Sequence, residues 1–142
     1  MTALRSFVLD ASAALRLAQD EAGTPAARDA FQALLEAGFE ATAPDLFAYE
    51  AGNAASRGPP ARSPKAALLL RLLQTPQFVQ LTPGALVRAH AIAIESGLSF
   101  YDASYVALAE GAETLVWTED ARILRKFPDR AASTKDIVAR LR

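Results

Sequence analysis

Four carboxylates stand where a chain can gather negative charge for chemistry: Asp10, Glu50, Asp102 and Asp120. Asp10 closes the apolar run Phe7-Val8-Leu9, and Asp120 comes three residues after Trp117, the end of a second apolar run. Each acid has a plainer reading. Asp10 and Asp120 would cap the helices that follow them, Asp102 would be the acid of the capping box Ser99-Phe100-Tyr101-Asp102, and Glu50 would face solvent. Glu50 weakens its own plain reading, because Leu46, Glu50 and Asn53 fall on one helix stripe, and polar groups on such a stripe call for a buried polar partner. If the four converge, their mutual repulsion in a partly dry site is severe, and a divalent cation is the simplest relief. An all-carboxylate set favours a hard, oxygen-seeking ion such as Mg²⁺ or Mn²⁺. Such ions suit phosphodiester hydrolysis, where they polarise the phosphate and activate the attacking water.

Other chemistries are excluded by composition. There is no cysteine, so disulfides, thiolate nucleophiles and Cys-based metal centres are absent. The single histidine, His90, rules out multi-His metal sites and lies far in sequence from the four acids. The seven glycines are all at least six residues apart, so no Gly-rich phosphate cradle exists. No apolar run approaches the ~18 residues that span a bilayer, and the N-terminus has no charged-then-apolar signal pattern, so a cytoplasmic protein is expected.

The elements that must position these acids are short. Phe7–Leu9, Glu40–Ala43, Phe78–Leu81 and Thr114–Trp117 read as strands, with a further one near Ala131. Helices are expected from Ala11 through Leu17, from Pro25 to about Ala37, over Asp45–Ala55, Pro64–Leu73, Pro83–Ser96 with Gly97 as its stop, Tyr101–Glu110, a short one to Lys126, and from Lys135. Of the 142 residues, 32 are alanine, which favours helix. Gly58-Pro59-Pro60 with Ser63-Pro64 is the one obvious loop, and the length suits one domain over residues 1–142. Short buried strands separated by helices argue for a parallel sheet covered on both faces, whose ligand site lies beyond the carboxyl ends of the strands. The net charge of −1 hides an asymmetry: residues 1–50 carry eight acids against three arginines, whereas no acid lies between Glu50 and Glu95. An acidic focus with basic flanks could hold a polyanion, although solvated helix faces explain the counts as well.

Four segments together carry a family resemblance. Val8-Leu9-Asp10-Ala11-Ser12-Ala13-Ala14-Leu15 resembles the opening of PIN-domain nucleases, and Pro44-Asp45-Leu46-Phe47-Ala48-Tyr49-Glu50-Ala51-Gly52-Asn53 resembles their second motif, P-x-L-x-x-x-E-x-x-N. The stretch from Gly97 through Asp102 to Ala109 resembles the third, and Leu115-Val116-Trp117-Thr118-Glu119-Asp120-Ala121-Arg122-Ile123-Leu124 the fourth. Each motif is weak alone, but the four occur in order and register over nearly the whole chain. Within that family the chain looks most like the VapC ribonuclease toxins of VapBC toxin–antitoxin pairs. The resemblance implies an α/β, PIN-like three-layer sandwich with a central, mostly parallel sheet of four or five short strands and helices on both faces. It implies that Asp10, Glu50, Asp102 and Asp120 bind Mg²⁺ or Mn²⁺ directly or through water, that Thr118 supports the fourth acid, and that Ser12 and Asn53 support the site from behind. It further implies metal-assisted hydrolysis of RNA to a 5′-phosphate and a 3′-hydroxyl, a homodimer, and a VapB-type antitoxin that blocks the acidic groove.

Arg57, Arg62 and Arg122 are candidate contacts to RNA phosphates, against the commoner reading of solvated surface arginines. Trp117 reads as packing between sheet and helix, Tyr101 and Tyr105 as core residues, and Glu119 as a solvent-facing fifth acid. A receiver-type phospho-acceptor domain fits poorly: Leu9 and Ala11, not a second acid, flank Asp10, and Lys126 follows a helix rather than a strand. The serious alternative is a PIN-fold RNA-processing nuclease, or a non-catalytic interaction module, that is not a toxin.

Overall fold

The computed structural model describes residues 5–18, 23–57 and 64–142. Five strands form one sheet: β1 (Arg5–Leu9), β2 (Phe39–Pro44), β3 (Gln77–Val79), β4 (Val116–Trp117) and β5 (Ala131–Ala132). All neighbours pair in parallel, in the order β3-β2-β1-β4-β5. Phe7, Val8 and Leu9 are each fully buried, so both faces of the central strand are covered, as the unbroken apolar run requires. The helices are α1 (Ala11–Ala18), α2 (Thr24–Glu36), α3 (Leu46–Arg57), α4 (Pro64–Leu72), α5 (Pro83–Ser96), α6 (Phe100–Gly111), α7 (Ala121–Lys126) and α8 (Thr134–Leu141). Helix α6 lies against β1, β2 and β4 with α5 packed on it, while α2 lies against β2 and pairs with α1 and α8.

Alanine does more here than favour helix. Ala13, Ala14, Ala27, Ala51, Ala89 and Ala103 are buried at the helix contacts, where a side chain of one carbon lets backbones approach closely. The bulk of the core comes from few large residues. Phe7, Phe31 and Trp117 meet with ring centroids 6.0–6.3 Å apart, and Trp117 Nε1 donates to Thr134 Oγ1 at 3.1 Å.

Among the described residues element types agree with the sequence reading, and the boundaries move by a few residues. The third strand is Gln77–Val79 rather than Phe78–Leu81, and the fourth keeps only Val116–Trp117 of Thr114–Trp117, although Val8 N still bonds to Leu115 O. Helix α5 ends as expected: Gly97 takes the left-handed conformation (φ 76°) and Ser99 caps α6, accepting from Asp102 N at 3.0 Å. Two single-residue expectations are wrong. Tyr101 is not in the core but 62% exposed, in the first turn of α6. Glu119 does not point to solvent; its carboxylate accepts from Thr134 N (2.9 Å) and Thr134 Oγ1, at the start of α8.

Candidate active site

The strand order reverses at β1, with β2 leading to one edge and β4 to the other, so the crevice between β1 and β4 is where such sheets open a site. Asp10 sits at that point. Its backbone N–H still bonds to Trp117 O at 3.0 Å, which fixes the side chain just past the last ladder rung. Its carboxylate does not cap α1. Instead Oδ2 accepts from Ser12 Oγ (2.6 Å) and Thr118 Oγ1 (2.7 Å). Those hydroxyls are themselves oriented from behind: Glu119 N donates to Ser12 Oγ and Asp120 N to Thr118 Oγ1, both at 3.0 Å. The two backbone donors turn the hydroxyl hydrogens toward Asp10 and leave its Oδ1 without a protein partner among the described residues.

The other three acids come from three further elements. Asp120 is the N-cap of α7, and its Oδ1 accepts from Arg122 N (2.9 Å) and Ile123 N (3.1 Å), so the capping reading holds and still spends only one oxygen. Asp102 lies in the first turn of α6 behind its Ser99 cap. Glu50, on α3, accepts from Tyr105 Oη at 2.6 Å; the tyrosine is fully buried, which supplies the polar partner that the Leu46-Glu50-Asn53 stripe called for. All four acids, with Ser12, Asn53 and the apolar Ala11 and Leu15, line one cavity of roughly 300 Å³.

Among the described residues no lysine or arginine lines that cavity, and the charges are accordingly hard to keep. Asp10 is pushed up to about 6, chiefly by burial; the Ser12 and Thr118 hydroxyls oppose the shift, and Glu50 and Asp102 add to it. Glu50 is raised by burial against the Tyr105 hydrogen bond, with Asp102 adding repulsion. Asp102 is raised by burial and then by Asp120, with Ser99 and Arg122 pulling the other way. Oxygen-only donors, an unspent oxygen on Asp10 and mutual repulsion fit a hard divalent cation. Among the described residues no three such side chains stand close enough to form a ready-made cage.

The remaining sequence candidates divide. Ser12 and Thr118 touch Asp10, and Asn53 lines the cavity from an exposed position. Arg122 is exposed and donates to Gly97 O at 2.7 Å, beside Asp102. Arg57 is exposed at the end of α3 and does not line the cavity. Arg62 and the loop from Gly58 to Ser63 lie outside the described residues. His90 is exposed on α5, away from the acids. Tyr105 as the partner of Glu50 was missed, though its i+3 spacing from Asp102 places it on the same face of α6. A larger cavity, roughly 480 Å³, lies at the opposite edge of the sheet with Arg5, Arg130 and Arg140 against one acid, Glu113. There Arg130 and Arg140 donate to the carbonyls of Thr114 (2.9 Å) and Ala131 (2.6 Å), and the acids are elsewhere.

Comparison with known proteins agrees with this fold. Seven chains of solved structures match, among them PAE2754 from Pyrobaculum aerophilum, with a TM-score of 0.73 and 27% identity over 98% of each chain. No curated protein matches. The family model described as PIN domain matches residues 7–129, a span that holds all four acids. The chain belongs to the PIN domain family.

Proposed function

We propose that this protein is a metal-dependent endoribonuclease of the VapC type, hydrolysing RNA phosphodiester bonds and held in check by a VapB-type antitoxin. The observation that carries the reading is the meeting of Asp10, Glu50, Asp102 and Asp120 in one cavity at the β1/β4 switch point, with no basic residue among the described residues that line it. Mg²⁺ or Mn²⁺ would be held by Asp10 through its unspent oxygen and by Asp102, Asp120 and Glu50 directly or through water. When bound, such an ion polarises the scissile phosphate and acidifies the attacking water. The chain's own work is positional. Ser12 and Thr118 hold Asp10 ionised, Tyr105 does the same for Glu50, and Asn53 stands at the rim as an uncharged donor and acceptor. Arg122 is poised beside Asp102 to meet a phosphate, with Arg57 and Arg62 further candidates from α3 and the following segment.

Partners follow from surface chemistry. An acidic cavity attracts a basic peptide tail, the kind of inhibitor a VapB-type antitoxin supplies. A homodimer is favoured by α5, which exposes Val87 and Ile94 seven residues apart on one face. Among the described residues no helix is long and apolar enough to cross a membrane, in keeping with work on cytoplasmic RNA.

The test is cleavage of total RNA by the purified chain with Mg²⁺, Mn²⁺ or EDTA, beside Asp10→Asn. Discrete fragments that need metal and vanish in the variant are expected. Metal-dependent cleavage without growth arrest on expression would favour an RNA-processing PIN nuclease over a toxin. No cleavage by folded, partner-free protein would favour an interaction module.

A further inference from the structure

Two helices that deliver acids to the cavity also deliver aromatic rings to the groove beside it. Glu50 on α3 is preceded by Tyr49, and Asp102 on α6 by Tyr101. Consecutive residues on a helix are turned by about 100°, so a helix that aims its acid into one cavity aims the residue before it into the next. Tyr49 is 75% exposed and Tyr101 62%, an unusual cost for large rings. Both line a groove of roughly 370 Å³ with Leu46, Leu86 and Phe100. Among the described residues neither tyrosine stacks on another ring, so their faces are unspent.

We infer that this groove is a nucleobase slot: a base next to the phosphate held at the carboxylates leaves its neighbours and stacks on Tyr49 and Tyr101. The inference rests on the nuclease reading and deepens it, because it makes the substrate single-stranded. A base in a duplex is stacked and paired, and cannot enter. The volume lies in the range of small-ligand pockets. Helices α3 and α6 contribute to both the groove and the acid cavity, through the neighbouring residues Tyr49 and Glu50 and Tyr101 and Asp102, which puts the slot within reach of a nucleotide whose phosphate is bound at the acids. The rim also holds groups that read a base edge. Asp45 accepts hydrogen bonds and the Gln80 amide both donates and accepts, whereas Ser104 Oγ is committed to Phe100 O at 2.8 Å.

The test measures binding rather than cleavage. Full-length Asp10→Asn protein in Mg²⁺ is titrated with short single-stranded RNAs carrying one abasic position at a time. At one position the missing base should weaken binding about 5- to 150-fold, the range for a stacked base. Adding Tyr49→Ala and Tyr101→Ala should weaken binding of the intact strand by a similar factor and abolish the penalty at that position. Tyr101→Phe, which keeps the ring, should bind like its parent. Sedimentation of each variant should show an unchanged oligomeric state. Tight binding by the double alanine variant, or an abasic penalty that persists in it, would overturn the slot and leave the nuclease reading standing. A change of oligomeric state in the alanine variants would assign the groove to a second copy and overturn it likewise. Failure of the parent to bind any strand would overturn the nuclease reading, and the slot with it.

Discussion

Asp10 is the residue on which the site's energetics turn. An acid whose pKa rises on folding binds its proton more tightly in the folded state, so its share of stability is fully present below the unfolded value near 3.8. That share is lost as pH rises through about 6. A shift of about two units corresponds to roughly 3 kcal/mol. Metal-free protein should therefore lose stability between about pH 4 and pH 6, and Asp10→Asn should flatten that slope and be the more stable variant at pH 7.5. Denaturant unfolding in EDTA at several pH values reads both. A large loss of stability in the variant would instead mean that the two hydroxyl bonds to Oδ2 outweigh the buried charge. Tyr105→Phe addresses Glu50. Removing the 2.6 Å hydrogen bond takes away the group that favours the ionised carboxylate, so the acid limb of the pH–activity profile should move to higher pH. Activity near neutrality should fall about tenfold, the scale of a hydrogen bond to a charged group, with little change in melting temperature.

Among the elements, the loop from Thr118 to Asp120 is the least self-sufficient, since it has no regular structure of its own. It is held from one side by the β1–α1 junction, through Asp10 and Ser12, and from the other by α8, through Thr134 and Glu119. Trp117 Nε1 meets the same Thr134 hydroxyl. Thr134→Val should cost about 1–3 kcal/mol, because it strands a buried indole N–H and takes one of two donors from the Glu119 carboxylate. It should also raise hydrogen exchange at Glu119 and Asp120, whose amides donate to Ser12 and Thr118. Unchanged exchange there would mean that the β1–α1 junction alone fixes the loop. The strands, the helices and the four acids were legible because each sits beside an apolar run or on a helix stripe, and local pattern carries that information. The partners of Glu50 and Glu119 were not. Tyr105 and Thr134 come from elements that meet those acids only after packing, and no spacing rule links residue 50 to residue 105. Tyr101 misled for the related reason that an aromatic residue reads as core unless the packing around its helix is known. The boundaries of β3 and β4 shifted because edge pairing, rather than residue type, decides where a short strand ends.

For the molecule as a whole, the carboxylate cavity is a standing electrostatic cost that a cation should relieve. Adding Mg²⁺ at about a hundredfold excess over its dissociation constant should stabilise the native protein by about 2.7 kcal/mol, read as a rise in melting temperature. Asp102→Asn should reduce that rise, and an equal rise in the variant would mean that the ion binds elsewhere.

The sheet order carries one more consequence. Val8 pairs with Val116 and Leu9 with Trp117, and the Thr118 hydroxyl that steadies Asp10 lies 108 residues further along the chain. During synthesis the ribosome releases Asp10 early, yet the pocket cannot close until the residues around Asp120 have followed and docked beside β1. Pairings of such long range are slow to form. A nascent or truncated chain that stops short of Asp120 therefore carries three of the four acids and no assembled pocket. The carboxylate site is therefore assembled only after synthesis has passed Asp120, and any chemistry that depends on the four acids together is switched on late.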